Sequence, residues 1–342
     1  MKTLKQILLF CCTILVLLAC YEVMLTFGEV IPPKYREVDN EIGLRFLSNK
    51  NVTRFNEGFF IGSTNSQGNL GPTVNLVNKP PNEKRVALMG DSYVVGQQVF
   101  YRQHFAQQTE NLLNNSHQEN FKLLNFGMNG YQLADMYVRY KNLVERYQPD
   151  LTLFFVAPED LSYTSAGLNP KIDLIDNELI IENQFSKSES KGVKAKIEEL
   201  RLWSMLSACK SLIAKKQASS ILFGKFAADN SVNESNHVKN SETLTLDHPS
   251  LDLITMKVVE QLSKSKNVAV VLLKPISTVD LNQIKLSGIP IIDLAPAINL
   301  VKKREINPVY WSATKKTGHY NHYVHKEMSV ILDEEISKLL QP

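Results

Sequence analysis

The chain predicts an α/β fold: a parallel sheet covered by helices on both faces, carried behind an amino-terminal membrane element. Three observations lead there. Apolar runs alternate with amphipathic helical segments from Arg85 onward, the order that builds parallel sheets. The run Arg85-Val-Ala-Leu-Met89 breaks abruptly at Gly90-Asp-Ser-Tyr-Val94, which reads as a buried strand ending in a tight turn. From Ile7 to Phe27 the residues are almost all apolar, with Glu22 the only charge.

The apolar stretch matches the roughly 20 residues a helix needs to span a bilayer. Lys2 and Lys5 precede it, so the positive-inside rule places the amino terminus in the cytoplasm and the rest on the periplasmic or extracellular side. An uncleaved signal anchor is the reading favoured, because the run continues past Cys20 through Val23, Met24, Leu25 and Phe27. The alternatives are a cleaved secretory signal and a lipoprotein site at Leu17-Leu-Ala-Cys20. All three export the soluble part.

With 342 residues, 44% of them hydrophobic, the chain can bury a sizeable core. A net charge of +3 leaves no nucleic-acid footprint. Cys11, Cys12 and Cys20 lie in the apolar stretch, so Cys209 is alone beyond it and makes no disulfide framework. Its helical surroundings (Leu202, Met205, Leu206, Leu212) favour a small buried hydrophobe.

Three parts follow along the chain: the anchor (1–27), a tether and extension (28–84), and an α/β domain (85–342). Gly28 to about Lys50 is mixed and Pro-bearing, a tether, and Phe59 to Gly71 is turn-rich. After the strand at Arg85, a helix is expected through Phe105 to Leu113 and a strand over Lys122 to Asn125. A helix near Leu133 to Tyr147 and the strand Leu151 to Val156 come next. Later come a helix near Leu251 to Leu262, the strands Val268 to Leu273 and Ile289 to Ile292, and a closing helix over Val324 to Leu340. An insertion interrupts this order at about 161–249. It contains a hairpin (Asp173 to Glu182), a helix (Ile197 to Ala214) and a polar loop (Ala227 to Asp247).

Ser92 falls at the carboxyl edge of the sheet, where open α/β folds build their sites. Gly90 permits the sharp turn, and Gly96 would let a following helix start close to the sheet, its unpaired N–H groups facing a ligand.

Taken with the blocks downstream, the chain resembles the SGNH (GDSL-type) hydrolases. Gly90-Asp-Ser92 is similar to their first block, with Ser92 at the nucleophile position. Asn125-Phe-Gly-Met-Asn-Gly130 resembles the second, Gly130 supplying a backbone N–H. Gly318-His-Tyr-Asn-His-Tyr-Val-His325 resembles the last, with His319 at the position of the base. Asn65-Ser-Gln-Gly68 is similar to exported members that work on polysaccharides. The resemblance implies a flavodoxin-like α/β/α sandwich and a Ser-His-Asp site, with the Ser92 and Gly130 amides as the oxyanion hole. No cofactor is implied.

Two positions depart from that pattern. The third block of the family carries an Asn donor, where this chain has Glu159 in Ala157-Pro-Glu-Asp160. An ionised Glu has no donor and opposes a developing negative charge. Two or three residues before His319, where the family has Asp, stand Thr317 and Lys316. Three explanations are open: Glu159 or Asp160 holds His319 instead, Glu159 is kept protonated by burial and donates, or the site binds without turning over. Asp293 is a strand-end or helix-cap residue and only a remote candidate for the carboxylate. His319, His322 and His325 follow helix spacing and lack an acidic or cysteine cluster, which argues against a metal site. Lys315 and Lys316 are either solvated surface or contacts for an acidic polysaccharide.

The expected function is an exported serine ester hydrolase or O-acetyltransferase acting on a cell-surface polysaccharide through Ser92 and His319. The expected partners are the acylated polysaccharide or another ester, the membrane through the N-terminal helix, and a membrane acyltransferase. A non-catalytic glycan-binding or assembly subunit is the first alternative, and a lipase or thioesterase the second.

Overall fold

The structure is a computed structural model that describes residues 2–27, 35–54, 57–165, 169–182, 197, 200–203, 205–206, 210, 251–265 and 267–341. Cys209 and the polar loop 227–247 lie outside these residues, as does most of the expected helix 197–214. The chain divides into two compact units, one of residues 1–34 with 187–244 and one of residues 35–186 with 245–342.

In the first unit, helix α1 (Lys2–Phe27) contains the segment Leu4–Leu25, long and apolar enough to cross a membrane, as a signal sequence also is. Its one acidic residue is satisfied. The Glu22 carboxylate accepts from the backbone N–H groups of Arg201 at 2.7 Å and Leu202 at 2.8 Å.

The second unit is an α/β fold built on five parallel strands: β5 (Glu83–Met89), β6 (Asn120–Asn125), β7 (Leu151–Val156), β10 (Val268–Leu272) and β11 (Ile291–Asp293). Their order across the sheet is β11-β10-β7-β5-β6. Alternate residues of a central strand feed opposite faces. Val86 and Leu88, with Leu153 and Phe155, pack on one side, while Ala87 and Met89, with Phe154 and Val156, pack on the other. The strands therefore read as continuous apolar runs, as expected for a sheet buried on both faces.

Helices α3 (Phe105–Ser116), α7 (Ala295–Lys303) and α8 (His322–Leu339) cover the first face. In α8 the stripe Val324, Met328, Leu332, Ile336 recurs every four residues, and all four are buried. Helices α4 (Leu133–Asn142), α5 (Leu253–Ser263) and α6 (Thr278–Leu286) cover the second.

From Tyr35 onward the segment expected as a tether is folded. Strands β1 (Arg36–Asp39) and β2 (Gly43–Phe46) form an antiparallel hairpin, and β3 (Asn51–Arg54) pairs with β4 (Phe60–Ser63). Tyr35, Phe46, Val52 and Phe60 are buried in the same core as α4. Their apolar positions are too few and too short to register as periodic segments, which is why composition alone read as a linker. The hairpin β8 (Lys171–Ile175) and β9 (Glu178–Glu182) forms as expected.

Three local expectations change. The helix near Leu133–Tyr147 breaks at Leu143 (φ −123°, ψ −53°), continues as a 3-10 turn over Val144–Tyr147, and stops at left-handed Gln148 before Pro149. Gly96, at φ 66°, ends the four-residue helix α2 (Ser92–Val95) rather than opening a longer one. Helices α6 and α7 were not expected: α6 has weak apolar spacing, and α7 is short with a proline in its first turn.

Arg85 joins the extension to the sheet. Its side chain is fully buried, and it donates to Glu83 Oε1 at 2.6 Å, the Tyr147 carbonyl at 2.8 Å and the Asn75 carbonyl at 2.6 Å. A buried guanidinium is tolerated because its donors are matched; removing it leaves Glu83 and two carbonyls stranded. Arg85→Ala is expected to lower unfolding free energy by about 3–5 kcal/mol, the usual cost of breaking a buried pair. The exposed Arg146→Ala is expected to stay within about 0.5 kcal/mol. Urea melts followed by circular dichroism check both; equal small effects would show that Arg85 does not hold the extension.

Candidate active site

The site lies at the carboxyl ends of β5, β6, β7 and β10. Asp91 caps α2, its Oδ1 accepting from the Tyr93 N–H at 2.9 Å. Asn125 then ties the end of β6 to α2, donating to the Val94 carbonyl at 2.7 Å and accepting from the Gly127 N–H at 3.0 Å. These bonds fix Ser92 at the head of a short turn over the sheet edge.

Ser92 Oγ lies 2.7 Å from His319 Nε2 and 3.3 Å from Asp91 Oδ2. On the far side of the ring, His319 Nδ1 lies 2.8 Å from Glu57 Oε2, and the same oxygen accepts from the His319 backbone N–H at 2.8 Å. A carboxylate against Nδ1 places the proton there and leaves Nε2 free to accept from the serine. Ser92, His319 and Glu57 thus form a continuous relay, although Glu57 comes from the β3–β4 loop, 262 positions before the histidine.

Burial alone would raise the Glu57 carboxyl, but its bonds to His319 outweigh that and hold it below the usual range. The clasp is also shaped by glycine. A Cβ on Gly318 would fall 2.2 Å from the Glu57 carboxyl carbon, and one on Gly58 would fall 2.1 Å from the Gln98 carbonyl. Trp311 Nε1 donates to the His319 carbonyl at 3.1 Å, and Thr314 Oγ1 donates to the Glu57 carbonyl. The short strands β12 (Tyr310–Trp311) and β13 (Lys316–Thr317) pair in the loop before His319.

The acids expected to hold His319 are engaged elsewhere. Glu159 pairs with Lys274, which follows β10, and is half exposed. Asp160 is buried and turns back to accept from the Ala157 N–H at 2.8 Å. Burial, with Asp91 nearby, pushes Asp160 up to about 8, and burial also raises Asp91. Asp293 caps its own turn, accepting from the Ala295 N–H at 2.8 Å. Gly130 sits at φ 76° with open space where a Cβ would be, and its carbonyl accepts from Asn169 Nδ2 at 3.0 Å.

Other motif residues hold structure. Asn65 accepts from the N–H groups of Gln67 and Asn69 and donates to the carbonyls of Gly71 and Pro72. His325 is buried beside His104 and accepts from the Phe105 N–H at 3.2 Å. A pocket of about 260 Å³ lined by Tyr140, Pro149, Thr152 and Asn267 lies at the opposite, amino-terminal edge of the strands, away from Ser92.

No family model matches the chain, and no curated protein matches it. Solved structures to which it is similar include a lipase/acylhydrolase from Enterococcus faecalis (12% identity, 76% of this chain and 98% of that one, TM-score 0.40). A member of the lipolytic protein G-D-S-L family from Veillonella parvula matches at 12% identity over 75% and 99%, TM-score 0.33. A catalytic mutant of an acetylxylan esterase from Geobacillus stearothermophilus matches at 12% identity over 74% and 94%, TM-score 0.37. At these values the likenesses carry no assignment of chemistry to this chain.

Asp160 generates a pH prediction. A carboxyl protonated up to about pH 8 in the folded chain, but ionised above about 4 when unfolded, costs stability steadily as pH rises between those values. Asp160→Asn keeps an acceptor for the Ala157 N–H and removes that loss. Its Tm is expected to fall less than wild type between pH 5 and pH 8. Parallel Tm curves would show that Asp160 ionises normally in the fold.

Proposed function

We propose that the chain is a serine ester hydrolase or O-acyltransferase, and that Ser92, His319 and Glu57 carry its chemistry. The observation that carries this reading is the unbroken relay from Ser92 Oγ through both nitrogens of His319 to Glu57, with each contact at 2.7–2.8 Å. Nucleophile, base and orienting carboxylate within hydrogen-bond reach are the requirements for activating a serine.

In this reading Ser92 Oγ attacks an ester carbonyl while His319 Nε2 takes its proton. The carbonyl π electrons move onto oxygen, where the amides of Ser92 and Gly130 hold the negative charge. Glu57 keeps the Nδ1 proton in place and stabilises the imidazolium as it forms. When the intermediate collapses, His319 returns the proton to the leaving oxygen and an acyl-serine remains. Water or a sugar hydroxyl then enters by the same steps in reverse. The substrate we propose is a cell-surface polysaccharide bearing small acyl groups, acetyl first. The apolar helix α1, read as an export anchor, supports a glycan outside the membrane. A membrane acyltransferase as partner belongs to the transferase form of the same reading.

The test is hydrolysis of p-nitrophenyl acetate by the full chain in detergent, with fluorophosphonate labelling alongside. Ser92→Ala is expected to lose both. Glu57→Gln is expected to fold and to lower kcat by about four orders of magnitude, as loss of the corresponding carboxylate does in serine proteases. A wild-type chain that neither hydrolyses nor labels would sink the enzymatic reading in favour of a glycan-binding subunit. Full activity in Glu57→Gln would leave a Ser-His dyad and remove Glu57 from the mechanism.

A further inference from the structure

An oxyanion at Ser92 would form among carboxyl groups. Asp91 precedes the serine, and Glu159 and Asp160 follow β7, the strand beside β5. The three act on one another electrostatically. Negative charge developing on an acyl oxygen would be opposed by each that is ionised. Burial raises both carboxyls, Asp160 to about 8, so that Asp160 is protonated at neutral pH. Glu159 is half exposed and needs a different remedy.

That remedy is built into the neighbouring strand. β10 runs beside β7 in parallel, with Leu272 paired to Val156, and the Leu273 N–H donates to the Val156 carbonyl at 2.9 Å. The chain therefore leaves both strands at the same edge, and Lys274 reaches Glu159. Its Nζ also lies 5.2 Å from the centre of the Tyr93 ring. Tyr93 follows the nucleophile and packs against the His319 ring, centroid to centroid 4.7 Å. An ammonium has three donors. One is used by Glu159 and one faces the Tyr93 phenol, which leaves a third.

We propose that Lys274 is a catalytic residue: its ammonium neutralises Glu159 and supplies the donor to the acyl oxygen that an amide side chain would otherwise provide. The proposal rests on the esterase reading. A charged donor suits the role because it strengthens as negative charge grows on the oxygen, favouring the transition state over the bound ester.

The experiment is steady-state hydrolysis of p-nitrophenyl acetate by the full chain and four variants, with melts and fluorophosphonate labelling. Lys274→Met is expected to lower kcat by about 100-fold or more, the usual cost of one oxyanion donor, with KM changed less than about threefold, since the lost contact belongs to the transition state. Glu159→Asn with Lys274→Met restores a neutral donor without the ammonium and is expected to regain about tenfold or more in kcat over Lys274→Met. Glu159→Leu with Lys274→Met is neutral but has no donor, and is expected to stay at the low rate. Lys274→Arg keeps a charged donor and is expected to retain activity above Lys274→Met.

A Lys274→Met rate within about threefold of wild type would overturn the proposal. So would equal rescue by the Asn and Leu double variants, because Lys274 would then only neutralise Glu159. Should Lys274→Met fail to fold, the two double variants, which strand no carboxylate, carry the comparison. A wild type that neither turns over nor labels overturns the esterase reading and this proposal with it, whereas an active wild type with an indifferent Lys274 overturns this proposal alone.

Discussion

The hold of Glu57 on His319 is the constraint on which the site depends. One carboxylate oxygen accepts from both the backbone N–H and the ring Nδ1 of the same residue, so it fixes the position of the histidine and the rotation of its ring together. Two backbone segments must approach closely for this, and each supplies a glycine where a side chain would intrude, Gly58 on one and Gly318 on the other. Trp311 closes the arrangement from the side by bonding the His319 carbonyl and packing where Gly58 leaves room. Because Glu57 belongs to the extension, the extension has to fold against the sheet for the site to exist. The buried Tyr35, Phe46, Val52 and Phe60, together with Arg85 bonded to Asn75, accomplish that docking.

The sheet order explains why these parts meet where they do. β5 lies between β6 and β7: the chain passes outward from β5 to β6 and then crosses back to β7 on the other side, and this reversal of strand order opens a crevice at the carboxyl end of β5. Ser92 follows β5 at that end, while Gly130 lies in the segment after β6 and Glu159 in the turn after β7. β10, one strand further, adds Lys274. The last helix then returns over the first face, and its stripe of Val324, Met328, Leu332 and Ile336 sets the height of the loop that carries His319.

Much of this was legible in the chain. Continuous apolar runs such as Leu151 to Val156 announce strands buried on both faces, and Gly-Asp-Ser directly after one of them announces a site at the sheet edge. In the structure Ser92 Oγ and His319 Nε2 lie 2.7 Å apart. Glu57 was not legible. Its role depends on a contact across 262 positions, and nothing local marks it: Glu57-Gly58 sits between two four-residue strands whose pattern is too short to display a period. The one local mark is the lack of an acid just before His319, and the acids nearest the sheet edge in the sequence are Glu159 and Asp160. Sequence distance hid the better candidate.

The two departures from the expected pattern share a logic. A carboxylate is absent before the histidine and one is present where an amide donor was expected, so charge has moved without changing what the chemistry requires. A triad is defined by geometry and roles rather than by chain position, and a loop from the extension satisfies the first requirement as well as a neighbour of the histidine would. At the second position an unpaired carboxylate would work against the reaction, but Glu159 is not unpaired. Lys274 meets it from the adjacent strand, and the pair brings to that corner of the site a cation that a single amide would not. Each change is answered by a residue distant in the chain, Glu57 from the extension at His319 and Lys274 from the end of β10 at Glu159.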